Sequence, residues 1–251
     1  MRVFSYQLYS SRNFGPLPET LKMVAELGYK QVEGYGSLYS DLENLGQLKD
    51  DLAANGLTMP TGHFSLDMVS NEADRVIEIA RALDMAAVIV PAIPAEEREK
   101  DAEGWAELGR VLALAGHRFH DAGFAFGWHN HAFEFAEIDS AEKPLDLILS
   151  GSDDLALELD IAWVAKGGED PVDWLKKYAD RIIAVHVKDI APEGENEEED
   201  GWADVGEGIM DWRRLVPAID ATKSRFLVME HDNPADDARF ARRSIAAANA
   251  F

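Results

Sequence analysis

The chain has 251 residues, of which 47 are acidic and 24 are basic, so its formal net charge is −23. A composition of 47% hydrophobic and 28% charged residues excludes a disordered chain. No apolar stretch is long enough for a transmembrane helix, so we expect no membrane partner. The absence of cysteine excludes disulfides and thiolate metal sites. The acidity argues against a nucleic-acid partner, because nucleic-acid-binding proteins present basic surfaces.

Apolar segments rich in β-forming residues alternate with amphipathic segments along the chain. Glycines follow two of the amphipathic segments, at Gly28 and Gly56, as is typical of helix C-termini. In chain order the predicted elements are strand Val3–Tyr9, helix Leu17–Leu27, strand Gln31–Glu33, helix Asp41–Asn55, strand Thr58–Phe64, helix Asn71–Leu83, strand Ala87–Pro91, helix Glu96–His120, strand Phe124–Phe135, strand Leu155–Asp160, helix Pro171–Tyr178, strand Ile182–Lys188, strand Phe226–Glu230 and helix Ala235–Ala248.

Eight predicted strands, most of them followed by a helix, indicate a parallel sheet with helices outside it. The chain offers about 31 residues for each of eight strand–helix units, which is the size that such a unit needs. The glycine-rich phosphate motifs of open α/β sheets are absent from the sequence. We therefore predict a single (β/α)8 TIM barrel domain over residues 1–251. The N-terminal segment lacks the pattern of a signal peptide, so we expect a cytoplasmic protein.

Polar side chains interrupt the apolar strands near their C-terminal ends. In the segment LALELD, Leu157 and Leu159 lie on one face of the strand, and Glu158 and Asp160 lie on the other. Four predicted strands follow this pattern, and active sites of barrels are built at that end. The ionisable residues that alternation directs toward the barrel axis are Glu33, Glu158, Asp160, His186, Lys188 and Glu230.

Several carboxylates at one site repel one another and are costly to bury. A divalent cation would offset that repulsion, and we expect Asp160, His186 and Glu230, together with Glu134, to bind one. Such an oxygen-rich set suits Mn²⁺ or Mg²⁺, with Co²⁺ or Zn²⁺ as alternatives. A single residue of this kind is more often a paired structural ion, so the repetition over several strands favours the metal site.

The motifs GWHNHAFEF, ELDIAW, VHVKD, VGEG and VMEHD occur in this order. With them the chain, from about Glu33 to Glu230, resembles the sugar phosphate isomerase/epimerase family, whose xylose isomerase-like barrel is shared by inosose dehydratases and the endonuclease IV class. The resemblance implies that Glu134, at the end of the NHxxE pattern, is the metal-binding glutamate of the fifth strand. It also implies that Glu134 and Glu230 are the acid/base pair on opposite faces of the substrate carbon. Relatives are often dimers, which makes a homodimer possible here.

Further polar residues are candidates for contacts with the substrate, each with a structural alternative. His63 is equally explained as a satisfied structural histidine, Lys188 as the counter-ion of Glu158, and Glu207 as a solvent-facing loop residue. His129 has the spacing of a zinc ligand relative to His131, but alternation places both on the face opposite Glu134, so we do not expect them to bind the same ion. The full set of substrate-binding candidates is Glu33, His63, Asn130, His131, Trp163, Lys188 and Glu207.

The residues and the resemblance together predict a divalent-metal-dependent sugar isomerase or epimerase. Its chemistry would be proton abstraction next to a carbonyl group through a metal-stabilised enediolate. The same residues support dehydration of a keto-sugar or cyclitol as the alternative. Trp163 stands where some relatives have a substrate-binding histidine, which weakens the ketose-epimerase assignment. An endonuclease IV-like nuclease and a non-catalytic sugar-binding barrel are weaker alternatives. The acidity of the chain favours an uncharged sugar or keto-sugar as the substrate, and the acidic run Glu193–Asp200 predicts a solvated, mobile loop.

Overall fold

Eight parallel strands close into a barrel in the computed structural model, which describes residues 2–39, 45–98 and 100–251. Each strand pairs with its neighbours in the order β1-β8-β7-β6-β5-β4-β3-β2, and β2 pairs with β1 to complete the ring. The strands are β1 (Phe4–Gln7), β2 (Gln31–Gly34), β3 (Thr58–His63), β4 (Ala87–Val90), β5 (Ala125–His129), β6 (Ala156–Asp160), β7 (Ile182–Val187) and β8 (Phe226–Met229). The predicted (β/α)8 barrel is confirmed.

Helices surround the barrel in the order that the alternating pattern requires. They are α1 (Leu17–Glu26), α2 (Leu45–Ala54), α3 (Leu66–Asn71), α4 (Ala73–Ala82), α5 (Ala102–Asp121), α6 (Pro144–Leu149), α7 (Ile161–Lys166), α8 (Pro171–Lys177), α9 (Trp212–Asp220) and α10 (Asp237–Ala248). The predicted helix Asp41–Asn55 is observed as α2, and its residues 41–44 lie outside the described part of the chain. Four helices, α3, α6, α7 and α9, were not predicted. No helix in the described ranges has the length and apolarity needed to span a membrane.

The glycines that follow α1 and α2 adopt the backbone conformation that the sequence pattern predicts. Gly28 has a φ of +104° and Gly56 a φ of +63°, both in the left-handed region that favours glycine. Each directs the chain into the next strand of the barrel, β2 after Gly28 and β3 after Gly56.

The barrel interior changes from apolar to polar along the strands. Ala184, Phe226 and Val228 form a small buried apolar cluster that is separate from the main core. By alternation, Ala184 lies on the same face of its strand as His186, and Val228 on the same face as Glu230. Toward the C-terminal ends of the strands, buried carboxylates and imidazoles therefore replace the apolar residues. The main core lies between the strands and the helices.

The loop between β7 and α9 is held down by buried ionic contacts. It contains a short hairpin of Asp189–Ile190 and Trp202–Ala203, and Trp202 is buried. Glu199 is also buried, and its two carboxylate oxygens accept hydrogen bonds of 2.8 Å from Arg239 of α10. The expectation that the whole acidic run is solvated is therefore wrong at Glu199, because this side chain anchors the loop to a helix.

Candidate metal centre and active site

Strand register brings three predicted ligands to one point at the C-terminal end of the barrel. Asp160 of β6 lies opposite His186 of β7, and Glu230 follows the last residue of β8. Nδ1 of His186 lies 2.9 Å from Oε2 of Glu230 and 3.9 Å from Oδ2 of Asp160. All three side chains are buried. The convergence that the alternating pattern predicted for these residues is present.

The fourth member of this cluster is His129, the last residue of β5. One ligand atom from each of His129, Asp160, His186 and Glu230 lies within 4.8 Å of the others. His129 was expected to face away from the ion. That expectation assumed that β5 continues to Phe135, whereas the strand ends at His129. We call these four residues the outer cluster.

Glu134 does not join the outer cluster, although the family resemblance implied that it would. A turn of 3-10 helix, Phe133–Phe135, follows β5 and buries its side chain. Oε1 of Glu134 accepts a hydrogen bond of 3.0 Å from Trp128 Nε1, and Oε2 accepts one of 2.8 Å from the backbone N–H of His131. Burial raises the pKa of Glu134 to about 8. Strand alternation does not apply beyond His129, where β5 ends. Glu134 is therefore hydrogen-bonded to the barrel wall, and His129 is the member that β5 contributes to the outer cluster.

Asp160 has one oxygen held by hydrogen bonds and one oxygen that makes only ion-pair contacts, at 3.6 Å from Lys188 Nζ and 3.9 Å from His186 Nδ1. As the N-cap of α7, its Oδ1 accepts hydrogen bonds of 2.9 and 2.8 Å from the backbone N–H groups of Ala162 and Trp163. Its Oδ2 is buried and has no hydrogen-bond partner. Asn130 holds the backbone of Asp160 by donating to its carbonyl oxygen and accepting from its N–H. Burial raises the pKa of Asp160 to about 6, against the charges of Lys188 and His186.

Oδ2 of Asp160, which has no hydrogen-bond partner, lies beside the imidazoles of His129 and His186 and the carboxylate of Glu230. This arrangement fits the binding of a divalent cation. Unsatisfied buried polar atoms are costly unless an ion or water completes them. Two histidine nitrogens and two carboxylate oxygens form a donor set that binds first-row divalent metals. The outer cluster could therefore hold one such ion.

A deeper layer of ionisable side chains lies beneath the outer cluster. Nε2 of His63 lies 2.6 Å from Oε2 of Glu158 and 3.3 Å from Oε1 of Glu33. Burial raises the pKa of Glu158, but the charges of His186 and His63 outweigh it and hold that pKa well below its usual range. For His63, burial lowers the pKa, and the carboxylates of Glu33 and Glu158 outweigh it and raise the pKa. These residues are each other's counter-ions inside the barrel.

Lys188 forms ion pairs with Asp232 and Glu230, at the edge of the outer cluster. The sequence suggests Glu158 as its partner instead. Its Nζ lies 2.6 Å from Asp232 Oδ2 and 3.3 Å from Glu230 Oε2. The ammonium group also lies 4.1 Å from the ring centroid of Trp202 and 5.1 Å from that of Trp163. Burial opposes the charge of Lys188, but Asp232 and Glu230 raise its pKa above the usual range.

A cavity of about 430 Å³ opens above the outer cluster. Its apolar and aromatic wall includes Tyr9, Tyr35, Phe64 and Trp163. Its polar lining comprises His63, Ser65, His129, His131, Glu230 and Asp232. Within the described ranges, no lysine or arginine lines this cavity. Aromatic walls with a few convergent polar groups are typical of sites for small ligands.

Trp163, His63 and His131 are the substrate-binding candidates that line this cavity. The remaining candidates do not line it. Glu33, Asn130 and Lys188 are fully buried behind the lining, and Glu207 lies on an exposed turn. The backbone of His131 orients Glu134, while the side chain of Asn130 orients Asp160.

Sequence reasoning missed three residues of this site. The sequence pattern places His129 on the wrong face, gives Glu158 no role of its own and contains no signal for Asp232. Strand alternation could have found His129 if β5 had been ended at that residue. Asp232 lies beyond β8, in an irregular segment where no alternation applies.

Comparison with known proteins identifies the family. Residues 21–248 match the family model described as xylose isomerase-like TIM barrel. Inosose dehydratases of Clostridium botulinum and Geobacillus kaustophilus are 34% and 35% identical over 93 and 96 residues. These segments are 36% and 38% of this chain, and 30% of each relative, so the chain matches less than a third of the length of these curated relatives.

Solved structures share the fold over nearly the whole chain. A sugar phosphate isomerase/epimerase from Parabacteroides distasonis has a TM-score of 0.81 at 19% identity, covering 98% of this chain and 92% of that one. The IOLI protein, solved with a bound zinc atom, has a TM-score of 0.75 at 13% identity, covering 98% and 96%. At such identities the likeness shows the barrel fold alone.

Proposed function

The chain belongs to the xylose isomerase-like TIM barrel family, and on this basis we propose that it is a divalent-metal-dependent enzyme. Its substrate class would be a keto-sugar or cyclitol ketone, and its first step the removal of a proton next to the carbonyl group. The observation that carries the proposal is the outer cluster, a buried set of two imidazoles and two carboxylates at the floor of the aromatic cavity.

His129, Asp160, His186 and Glu230 would hold the ion. Two nitrogen and two oxygen donors suit Zn²⁺, Mn²⁺ or Co²⁺ better than Mg²⁺, which prefers oxygen donors alone. The IOLI protein, which shares this fold, was solved with a bound zinc atom. When bound, such an ion supplies Lewis-acid polarisation of the substrate's carbonyl oxygen.

Glu230 is the proposed base. It lines the cavity and belongs to the outer cluster, so its carboxylate lies where a bound ketone would present the carbon next to its carbonyl. Lys188 donates to its Oε2 at 3.3 Å and helps to fix its orientation. Trp163 supplies an aromatic wall on which an apolar sugar face can stack.

His63 is the proposed acid. It lines the same cavity from β3, and Glu158 lies 2.6 Å behind its Nε2. After Glu230 takes the proton from carbon, His63 would give a proton to the hydroxyl on the next carbon, whose C–O bond breaks and releases water. His63 then regains a proton from solvent as Glu230 loses its own, so the net change is the loss of one water.

Dehydration is favoured over epimerisation by the position of Glu134. Epimerisation by the expected pair needs Glu134 and Glu230 on opposite faces of one carbon, whereas Glu134 is hydrogen-bonded behind the cavity wall. The segments matched to inosose dehydratases also support dehydration. Isomerisation or epimerisation remains the second candidate, because His63 could return the proton to carbon from across the cavity.

The test is incubation of the protein with a panel of unphosphorylated keto-sugars and cyclitol ketones in D₂O, with Zn²⁺, Mn²⁺ or Co²⁺ or with a chelator. Metal-dependent incorporation of deuterium next to the carbonyl group is the expected first step. Loss of one water by mass spectrometry identifies the dehydratase, and an inverted or isomerised product identifies the second candidate. Absence of exchange from every substrate with every metal would contradict the proposal.

A further inference from the structure

The two ring nitrogens of His186 face different surroundings. Nδ1 points to the outer cluster, 2.9 Å from Glu230 Oε2. Nε2 points into the barrel, 2.9 Å from Glu33 Oε1 and 3.2 Å from Glu158 Oε2. A neutral imidazole carries one N–H and one lone pair, and the hydrogen bond of one nitrogen decides which nitrogen can bind a metal.

Glu33 is placed to accept the proton of Nε2, at 2.9 Å, and its contact with His63 Nε2 is longer, at 3.3 Å. It is fully buried and does not line the cavity. Gln7, its register partner on β1, donates a hydrogen bond of 2.8 Å to the same oxygen, Oε1, and so holds the carboxylate in place. Glu158 is the weaker partner for Nε2, because its Oε2 lies closer to His63, at 2.6 Å.

We propose that Glu33 is a positioning residue for the metal centre, which keeps the proton of His186 on Nε2 and leaves Nδ1 free to bind the ion. The inference rests on the metal-binding part of the proposed function. This role for Glu33 differs from the substrate contact that the sequence predicts for it. Carboxylates that orient metal-binding histidines from behind raise the affinity of the site for its ion.

The structure offers a matched pair of variants. Glu33→Met removes the acceptor while keeping an unbranched side chain of similar length. Glu33→Gln keeps one amide oxygen, which can take the place of Oε1 and accept from both Gln7 and His186, since Oε2 of Glu33 has no partner. We expect Glu33→Met to weaken Zn²⁺ binding by about 10–100-fold, and Glu33→Gln to retain most of the affinity.

The measurement is Zn²⁺ affinity by competition with a chromophoric chelator, with circular dichroism of the metal-free proteins to show that each is folded. Equal affinity of Glu33→Met and the wild type would overturn the inference while leaving the proposed metal centre intact. A wild type that binds no Zn²⁺ would instead refute the metal centre on which the inference rests.

A second measurement uses the unaltered protein and therefore does not depend on whether the variants fold. In the Zn²⁺-loaded protein with ¹⁵N-labelled histidine, long-range ¹H–¹⁵N spectra distinguish a protonated Nε2 from a protonated Nδ1. We expect His186 to be protonated on Nε2, and we expect the ¹⁵N chemical shift of its Nδ1 to change when the ion binds. A His186 protonated on Nδ1 would overturn the inference, even if the protein binds the ion.

Discussion

Asn130 and Asp160 exchange two hydrogen bonds between the ends of neighbouring strands. The side-chain amide of Asn130 donates to the carbonyl oxygen of Asp160 at 3.2 Å and accepts from its N–H at 3.0 Å. Asn130 directly follows His129, so this contact ties two members of the outer cluster together. The spacing between His129 of β5 and Asp160 of β6 thus depends on a residue that is not itself a member of the outer cluster.

Asn130→Ala should remove one hydrogen bond from the carbonyl oxygen of Asp160 and leave its buried N–H without the Asn130 acceptor. We expect the free energy of unfolding to fall by about 1–3 kcal/mol, together with a weaker affinity for Zn²⁺. Urea denaturation and metal titration measure the two effects. Asn55→Ala, which removes a side-chain contact to the backbone of Asp51 far from the site, serves as the control and should leave metal affinity unchanged. Unaltered stability and affinity in Asn130→Ala would show that the contact does not position Asp160.

Glu134 should contribute to the pH dependence of stability and not to metal binding. Its pKa is about 8 in the folded protein, against an ordinary value of 4.5. Because the folded state binds the proton more tightly, the stability that this group contributes is present below pH 4.5 and is lost as the pH rises through 8. Each tenfold difference in proton affinity corresponds to about 1.4 kcal/mol, so the loss amounts to a few kcal/mol.

The comparison of wild type with Glu134→Gln isolates this titration. Metal-free wild type should lose more stability than Glu134→Gln between pH 4.5 and 8, measured by urea denaturation at a series of pH values. Zn²⁺ affinity should be the same in both proteins, because both carboxylate oxygens are bound to N–H groups of the barrel wall. Parallel stability curves, or a large loss of metal affinity, would contradict this assignment.

Lys188→Met should destabilise the protein strongly. The substitution leaves Asp232 and Glu230 without the cation that lies 2.6 and 3.3 Å from them. Removing one partner of a buried ion pair costs about 3–5 kcal/mol. Lys22→Met is the control, since Lys22 and Glu26 form an exposed pair at 3.7 Å, and its loss should cost less than about 1 kcal/mol. Urea denaturation that gives similar values for the two variants would argue against this role for Lys188.

Removal of the ion should lower the melting temperature. A ligand at a hundred times its dissociation constant stabilises the folded state by about 2.7 kcal/mol, which is about 5–10 °C for a domain of this size. A chelator should therefore lower the melting temperature by that amount, and added Zn²⁺ should restore it. Asp160→Asn should melt at the same temperature with and without Zn²⁺. A wild type insensitive to both additions would count against the metal centre.

Much of this architecture follows from the sequence pattern. Eight apolar segments, each near a helix, predicted the closed barrel, and period-two alternation directed Asp160, His186 and Glu230 inward. Alternation works there because these residues lie within strands or directly after them, where the pleat still decides the face. The strong apolar–polar contrast of β6, β7 and β8 made the faces easy to assign.

The errors occur where a strand ends. The pattern does not reveal that β5 stops at His129, because the apolar residues Phe133 and Phe135 continue beyond it in a 3-10 turn. Period-two alternation therefore does not decide which way Glu134 faces, because the chain bends between His129 and Glu134. Contacts between distant parts of the chain also cannot be predicted from the sequence pattern. Gln7, Glu33 and His186 come together only because β1, β2 and β7 are arranged around one barrel axis.

The most direct test of the metal centre is an anomalous difference map from crystals grown with Mn²⁺ or Zn²⁺. We predict one peak per chain within bonding distance of His129, Asp160, His186 and Glu230, and none at Glu134. A strong peak bound by Glu134 in place of His129, or no peak in this cavity at saturating metal, would contradict the account.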